Sequence, residues 1–216
     1  IVNNLVFDTY RSAITFAAVD GGFVENIIVD SLRSLNTGNV IFLRIGERRA
    51  GKKGRMNGVI ISNVYAEVPA TKPDAGYNYE GPVEDLPRNI SPSSIVGMPD
   101  AMIENITLKN IEIHYPGGGN PHYAKVGLDE LNKVPEMGAS YPEFSMFKEL
   151  PAWGFYIRHA KGITFDNVRL VCDKQDYRTA VVLDDVNGAT FRNLVVNEPG
   201  GSKAPVFHFR SSGIVL

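Results

Sequence analysis

Arginine, acidic and aromatic side chains occur in this sequence at positions where they could bind or transform a polar ligand. A guanidinium group can hold a carboxylate through two hydrogen bonds. A carboxyl group can donate or accept a proton during bond cleavage. An aromatic ring with a polar group can contact both the apolar face and the hydroxyls of a ligand. The candidates for such work are Arg11, Asp20, Arg44, Tyr77, Tyr79, Glu80 and Trp153.

The positions of the other reactive side chains in the sequence indicate structural roles. The four histidines do not show the spacing of metal ligands, so we expect no metal site. Asp184 and Asp185 are adjacent at the end of a strand-like segment. Because adjacent residues on a strand point to opposite faces, we interpret them as part of a turn rather than as an acid–base couple. Cys172 lies in an apolar run, which predicts a buried thiol.

A short pattern recurs along the chain: a turn residue, alternating apolar residues, a polar pair and a further apolar residue. Its six copies begin at Asn4, Asn26, Gly58, Asn105, Gly162 and Gly188. The alternation has the period of a β-strand. The first two copies are about 22 residues apart, within the range of solenoid repeats. We therefore predict an all-β solenoid in which repeats stack and equivalent strands pair in parallel.

Asparagine occupies one position of this pattern in four copies. These residues are Asn63, Asn110, Asn167 and Asn193. Asparagines stacked at one corner can hydrogen-bond to one another, and they tolerate the left-handed backbone conformation that a corner requires. The sequence therefore predicts an asparagine ladder.

The regular pattern breaks in a stretch rich in proline and glycine. We predict one domain over residues 1–216, with long loops at about 69–101 and 116–152 that flank one copy of the repeat. Long ordered loops on a rigid scaffold usually carry function. The second loop is rich in aromatic residues, which either form the wall of a groove or attach the loop to its scaffold. These residues are Tyr141, Phe144, Phe147 and Trp153.

The composition is that of a globular protein, with 44% apolar and 21% charged residues. The net charge of −2 argues against a nucleic-acid-binding surface, which would need a basic patch. No apolar run is long enough to cross a bilayer. We therefore expect neither a nucleic acid nor a membrane as a partner.

Several segments resemble glycoside hydrolase family 28, the polygalacturonases and rhamnogalacturonases. Residues 10–22 resemble the family coil that begins with Gly-His-Gly, and residues 36–46 resemble the coil that ends with Arg-Ile-Lys. Residues 153–186 resemble bacterial members that act on plant cell-wall polysaccharide. The likeness spans nearly the whole chain but only the C-terminal portion of the family fold. The chain departs from the family at Arg11, which stands at the histidine, and at Gly46, which stands at the lysine.

The resemblance implies a right-handed parallel β-helix of the pectin-lyase type. It also implies inverting hydrolysis of glycosidic bonds in a pectic or related plant cell-wall polysaccharide. In this chemistry one acid protonates the leaving oxygen and another activates water. It needs no metal and no organic cofactor, so the resemblance implies none. The family carries these acids upstream of the part that the chain resembles, so Asp20 and Glu80 are the candidates that this sequence itself offers.

The resemblance also implies a role for the arginine and aromatic candidates. The substrate-binding residues would be Arg11, Arg44, Tyr77, Tyr79 and Trp153. The arginines would pair with a sugar carboxylate. The aromatic rings would stack on the apolar sugar face.

Two other functions remain open. One is a polysaccharide lyase, although the sequence shows no clustered aspartates for the calcium that many lyases use. The other is a non-catalytic carbohydrate-binding protein, with which the changes at Arg11 and Gly46 are compatible. In each case the partner is a polysaccharide or oligosaccharide, and we expect a secreted or periplasmic location. Because Ile1 begins within a strand-like segment, we also expect missing coils or another chain to cover the N-terminal end.

Overall fold

Long β-strands dominate the computed structural model, which describes residues 1–70, 91–124, 126–201 and 204–216. Strand accounts for 64% of the structure and helix for 6%. The strands are β1 (Val2–Ala18), β2 (Phe23–Ile45), β3 (Arg55–Glu67), β4 (Ser93–Val96), β5 (Ile103–Gly117), β6 (Ala152–Lys174), β7 (Thr179–Asn197), β8 (Val206–Phe209) and β9 (Ser212–Val215). Short 3₁₀ helices lie at Pro121–Tyr123, Leu128–Lys133 and Phe144–Phe147.

The long strands bend at residues in the left-handed backbone conformation. β2 has 23 residues, whereas strands usually have about 5–6. Within it, Asn26, Ser31 and Asn36 have φ values of 54°, 56° and 54°. Asparagine reaches this conformation readily because its short polar side chain can hydrogen-bond locally. Each bend therefore redirects the strand while its pairing with the neighbouring strands continues.

All the pairings between named strands are parallel, and five strands form a closed ring. β2 pairs with β3, β3 with β5, β5 with β6, β6 with β4, and β4 again with β2. β1 pairs with β2 outside the ring, β7 pairs with β6, and β8 and β9 pair with β7.

The prediction of a right-handed parallel β-helix, an open solenoid, is therefore wrong. The sheet closes into a five-strand parallel barrel with further strands outside it. β4 makes the difference, because this four-residue strand pairs with β2 along one edge and with β6 along the other. It lies within the predicted loop at about 69–101 and contains no copy of the repeat, so pattern analysis missed it. The coarser prediction of an all-β fold is confirmed.

The asparagine ladder is confirmed. Asn193 donates to Asn167 at 2.8 Å, Asn167 to Asn110 at 3.0 Å, and Asn110 to Asn63 at 3.0 Å. Asn63 in turn donates to the carboxylate of Asp30 at 2.7 Å. Hydrogen bonds from Ser62 and Asn63 lower the pKa of Asp30, so the ladder ends on an ionised acceptor.

Buried apolar side chains form two clusters. The larger includes Ile61 and Leu108, which pair in register on β3 and β5. In the smaller one, Phe42 of β2 packs with side chains such as Phe144 from residues 126–150, which we call the covering segment. Burying one such side chain stabilises the fold by about 1.5–3 kcal/mol. The smaller cluster therefore attaches the covering segment to the sheet.

Among the residues that the structure describes, no helix is long and apolar enough to cross a membrane.

Candidate functional site

An exposed tyrosine of the covering segment lies beside two arginines. Tyr141 is 64% exposed. The guanidinium carbon of Arg11 lies 5.8 Å from its ring centroid, and that of Arg48 lies 5.7 Å from it. Arg48 also forms an ion pair with Asp20, with 3.2 Å between Nη2 and Oδ2. We call Arg11, Asp20, Arg48 and Tyr141 the Tyr141 patch.

The Tyr141 patch combines side chains from three parts of the chain. Arg11 belongs to β1, Arg48 follows the end of β2, and Tyr141 comes from the covering segment. Guanidinium groups bind carboxylates, and a tyrosine ring contacts the apolar face of a sugar. Together they form a surface suited to an acidic sugar.

A buried charge cluster holds the covering segment against the sheet. Its buried members are Arg44, Arg158, His159 and Asp184, and its partly exposed members are Glu136, Asp185 and Arg210. Arg44 is fully buried and donates to the backbone oxygens of Gly97 at 2.9 Å and of Glu136 at 2.5 Å. Burial lowers the pKa of Arg44 to about 10, although the Glu136 carboxylate opposes this effect. Arg44 thus ties β2 directly to the covering segment.

Arg158 of β6 makes a second connection to the covering segment. Its Nη1 donates to the backbone oxygen of Val134 at 2.6 Å, and its Nη2 lies 2.7 Å from Glu136 Oε1. Its Nε lies 3.2 Å from Asp184 Oδ2, in an ion pair that is not aligned as a hydrogen bond. Arg210 donates to the other oxygen of Asp184 at 2.7 Å. The deeply buried charges of Arg158 and Asp184 persist because each is paired.

His159 lies between two carboxylates of the cluster. Its Nδ1 is 2.6 Å from Asp185 Oδ2, and its Nε2 is 3.1 Å from each carboxylate oxygen of Glu136. Burial raises the pKa of Glu136, but the hydrogen bond from His159 and the charges of Arg158, His159 and Arg44 outweigh it, so the pKa is lowered. Glu136 is therefore an anion whose carboxylate joins β6 to the covering segment.

His159, Asp185 and Arg210 share a strained backbone conformation. Their φ values are 50°, 57° and 49°. Non-glycine residues adopt this conformation at a cost that surrounding contacts must offset. Asp185 thus marks a bend, as expected for the Asp184–Asp185 pair, and the two carboxylates face different partners. They form no acid–base couple with each other.

Gly46, at the position of the family lysine, is packed against the covering segment. A Cβ atom on Gly46 would lie 2.9 Å from the backbone oxygen of Gly138 and 3.0 Å from a methyl group of Val19. The backbone nitrogen of Glu47 donates to the same oxygen of Gly138 at 2.7 Å. The covering segment therefore fills the space through which a side chain at position 46 would extend.

The structure separates the candidates that the sequence indicated. Arg11 and Asp20 meet in the Tyr141 patch, whereas Arg44 is buried and its guanidinium is bonded to main-chain oxygens. Arg44 therefore faces away from solvent and has no direct path to a substrate in this conformation. Three candidates, Tyr77, Tyr79 and Glu80, fall outside the described residues.

Trp153 is a buried anchor and is 1% exposed. Its Nε1 donates to Glu198 at 3.0 Å, and its ring packs edge-on against Tyr115 at 5.7 Å between centroids. Phe144 and Phe147 are buried as well. Three of the four rings of the aromatic-rich stretch therefore attach the loop to its scaffold, and the fourth, Tyr141, faces solvent.

Sequence reasoning missed Arg48 and Glu136. Arg48 stands in the charged run Glu47-Arg48-Arg49, where nothing distinguishes it from an ordinary surface arginine. Glu136 lies in the predicted loop at about 116–152, outside any repeat, so the sequence did not indicate its contact with Arg158 of β6. The buried thiol of Cys172 is confirmed, since the residue is 3% exposed.

Within residues 1–70, 91–124, 126–201 and 204–216, no group of three or more His, Cys, Asp or Glu side chains is arranged to hold a metal ion. No family model matches the chain, and neither a curated protein nor a solved structure is significantly similar to it. The likeness to glycoside hydrolase family 28 therefore stays a prediction.

Proposed function

We propose that this chain is the substrate-binding part of an inverting glycoside hydrolase that acts on a pectic or related plant cell-wall polysaccharide. The observation that carries this proposal is the Tyr141 patch, in which two arginines flank a solvent-facing tyrosine ring. Uronate sugars present a carboxylate and an apolar ring face close together. An arginine and an aromatic ring side by side match this combination.

The covering segment supports the proposal because it presents Tyr141 on a rigid base. Arg44 and His159 contact its residue Glu136, and Arg158 contacts both Val134 and Glu136. A binding residue that is held in place before the ligand arrives loses less conformational entropy on binding. We therefore assign Arg44 a positioning role rather than the direct substrate contact expected from sequence.

Hydrolysis needs two acids, one to protonate the leaving glycosidic oxygen and one to take a proton from the attacking water. Asp20 lies at the patch, but its carboxylate is paired with Arg48 at 3.2 Å. We therefore assign both acids to protein outside these residues, as the family resemblance implies. The pairing of Asp20 also favours the second candidate function, carbohydrate binding without bond cleavage.

The experiment is calorimetric titration with a trimer of galacturonic acid and, separately, with a trimer of galactose. We expect the acidic trimer to bind more tightly, because only it carries carboxylates for Arg11 and Arg48. Tyr141→Ala should weaken this binding by about tenfold, the effect of losing roughly 1.4 kcal/mol of contact. Arg49→Ala is the matched control, because Arg49 is exposed and adjacent in sequence but is not in contact with the Tyr141 ring. Equal binding by wild type and Tyr141→Ala would overturn the proposal.

Turnover by the protein that contains this chain separates the candidate functions. Reducing ends released with inversion at the anomeric carbon support the hydrolase. An unsaturated product that absorbs ultraviolet light would show a lyase instead. Tight binding without any product would select the non-catalytic carbohydrate-binding protein.

A further inference from the structure

A shallow depression lies on β1, β2 and β3, and its lining includes none of the residues of the Tyr141 patch. Its volume is about 510 Å³. Leu5, Arg33 and Tyr65 are paired in register on these three strands, so they form one row of its lining. Neighbouring strands are about 4.8 Å apart, which places these side chains in contact range. We call this feature the Arg33 depression.

The guanidinium of Arg33 lies against a tyrosine ring but forms no ion pair with any described residue. Its guanidinium carbon lies 5.2 Å from the ring centroid of Tyr65, and the hydroxyl of Tyr65 donates to Glu67 at 2.6 Å. Across the described residues no carboxylate forms an ion pair with Arg33, whereas Arg55 pairs with Glu25 at 3.1 Å. The tyrosine ring therefore fixes the orientation of Arg33 while leaving its hydrogen-bond donors to another partner.

The rest of the lining offers an apolar contact and amide groups. The Leu5 side chain is 59% exposed. Asn63 and Asn110 are engaged in the asparagine ladder, but Asn3, which is exposed, has no hydrogen bond from its side chain to any other described residue. The depression thus combines a cation, an apolar side chain and an amide. An acidic sugar can contact all three at once, through its carboxylate, its apolar face and its hydroxyls.

We propose that the Arg33 depression is a second binding site for carboxylate-bearing saccharide. Arg33 pairs with the carboxylate, Leu5 contacts the apolar sugar face, and Asn3 hydrogen-bonds a hydroxyl. Tyr65 acts as a positioning residue for Arg33. The choice of saccharide rests on the proposed function, while the site itself shares no residue with the Tyr141 patch. Such a site would hold the polysaccharide at a second point and raise its effective concentration at the first.

The test is titration of the whole chain with the trimer of galacturonic acid, comparing Arg33→Ala, Tyr141→Ala and the double variant. We expect wild type to bind two trimers. Arg33→Ala should lower the affinity of one site by about 10- to 100-fold, the range for a charge-assisted hydrogen bond. Tyr141→Ala should lower the affinity of the other site by about tenfold. Arg192→Ala is the control. Arg192 is an exposed arginine of β7, and it forms no ion pair or ring contact with another described residue.

The outcomes separate the two proposals. If Tyr141→Ala abolishes all binding and Arg33→Ala leaves binding unchanged, the depression is not a site and the proposed function stands. If Arg33→Ala abolishes all binding and Tyr141→Ala none, the second site stands and the Tyr141 patch fails. Equal binding of the galactose trimer at the depression overturns the role of the carboxylate. Circular dichroism of each variant shows whether its fold is retained.

Discussion

The buried charge cluster and the Tyr141 patch use the same residue types for opposite purposes. In the cluster, Arg158 is 3% exposed and Asp184 is fully buried, and their charges are matched by neighbours and backbone oxygens. In the patch, the side chains of Arg48 and Asp20 are 36% and 38% exposed. In the cluster, Coulomb interactions are strong and an unpaired charge is costly. In the patch, water screens the charges, so each ion pair contributes little to stability. Burial, rather than residue type, separates the anchoring residues from the solvent-facing residues to which we assign substrate binding by proposal.

The largest effect should come from breaking a buried pair. Asp184→Ala leaves Arg158 and Arg210 without this carboxylate, and we expect it to destabilise the fold by about 3–5 kcal/mol. Asp20→Ala removes a surface partner and should cost less than about 1 kcal/mol. Urea unfolding followed by circular dichroism measures both changes. Similar values for the two variants would remove the distinction between cluster and patch.

Gly46→Ala should have the next largest effect. Its Cβ atom would lie 2.9 Å from the backbone oxygen of Gly138, so the covering segment would have to move, at a cost of about 1–3 kcal/mol. Gly22→Ala is the control, because no atom lies within 4 Å of the Cβ added there. The same unfolding measurement applies. If Gly46→Ala is as stable as Gly22→Ala, the covering segment does not rest tightly on Gly46.

Acid should weaken the attachment of the covering segment through Glu136. Its pKa in the folded state lies below the ordinary value of 4.5, so the unfolded state takes up a proton at higher pH than the folded state does. The stabilisation is therefore complete above pH 4.5 and is lost as the pH falls through the lower folded-state value.

Glu136→Gln keeps the size of the side chain and removes its titration. We expect the free energy of unfolding to fall less between neutral and acidic pH in this variant than in wild type. Urea unfolding at several pH values measures the two slopes. Parallel slopes would mean that Glu136 does not couple protonation to folding.

The smallest change in stability should follow substitution in the patch itself. Arg48→Ala loses an exposed ion pair with Asp20 and should alter the free energy of unfolding by less than about 1 kcal/mol. We nevertheless expect it to weaken binding of the galacturonic acid trimer by about tenfold. Calorimetry and urea unfolding of the same sample compare the two quantities. A large loss of stability would show that Arg48 belongs with the anchoring residues.

Local features of the fold could be predicted from the sequence, but the closure of the sheet into a five-strand ring could not. The asparagines of the repeat indicated stacked corners because asparagine tolerates the left-handed conformation and pairs with itself, as Asn110 and Asn167 do. β4 has only four residues, and its partners β2 and β6 are distant in sequence. A strand so short has no period to detect, so the ring that it completes was beyond pattern analysis.

The site was predictable only in part for a related reason. Arg11 and Asp20 were candidates from sequence, and they lie in the patch. Tyr141 and Arg48 are more than ninety positions apart in the printed sequence, and their contact depends on how the covering segment lies on the sheet. Arg44 had the right chemistry for a carboxylate, but the covering segment buries it.

By itself, the sequence determined the long strands of the repeat and their asparagine corners, because alternation and backbone preference act between near neighbours. The tertiary structure alone decided which arginines face solvent, where the sheet closes and which ring lies beside which charge. Those outcomes depend on contacts between distant residues, such as Arg158 with Glu136, whose energies depend on burial. Burial is a property of the assembled chain.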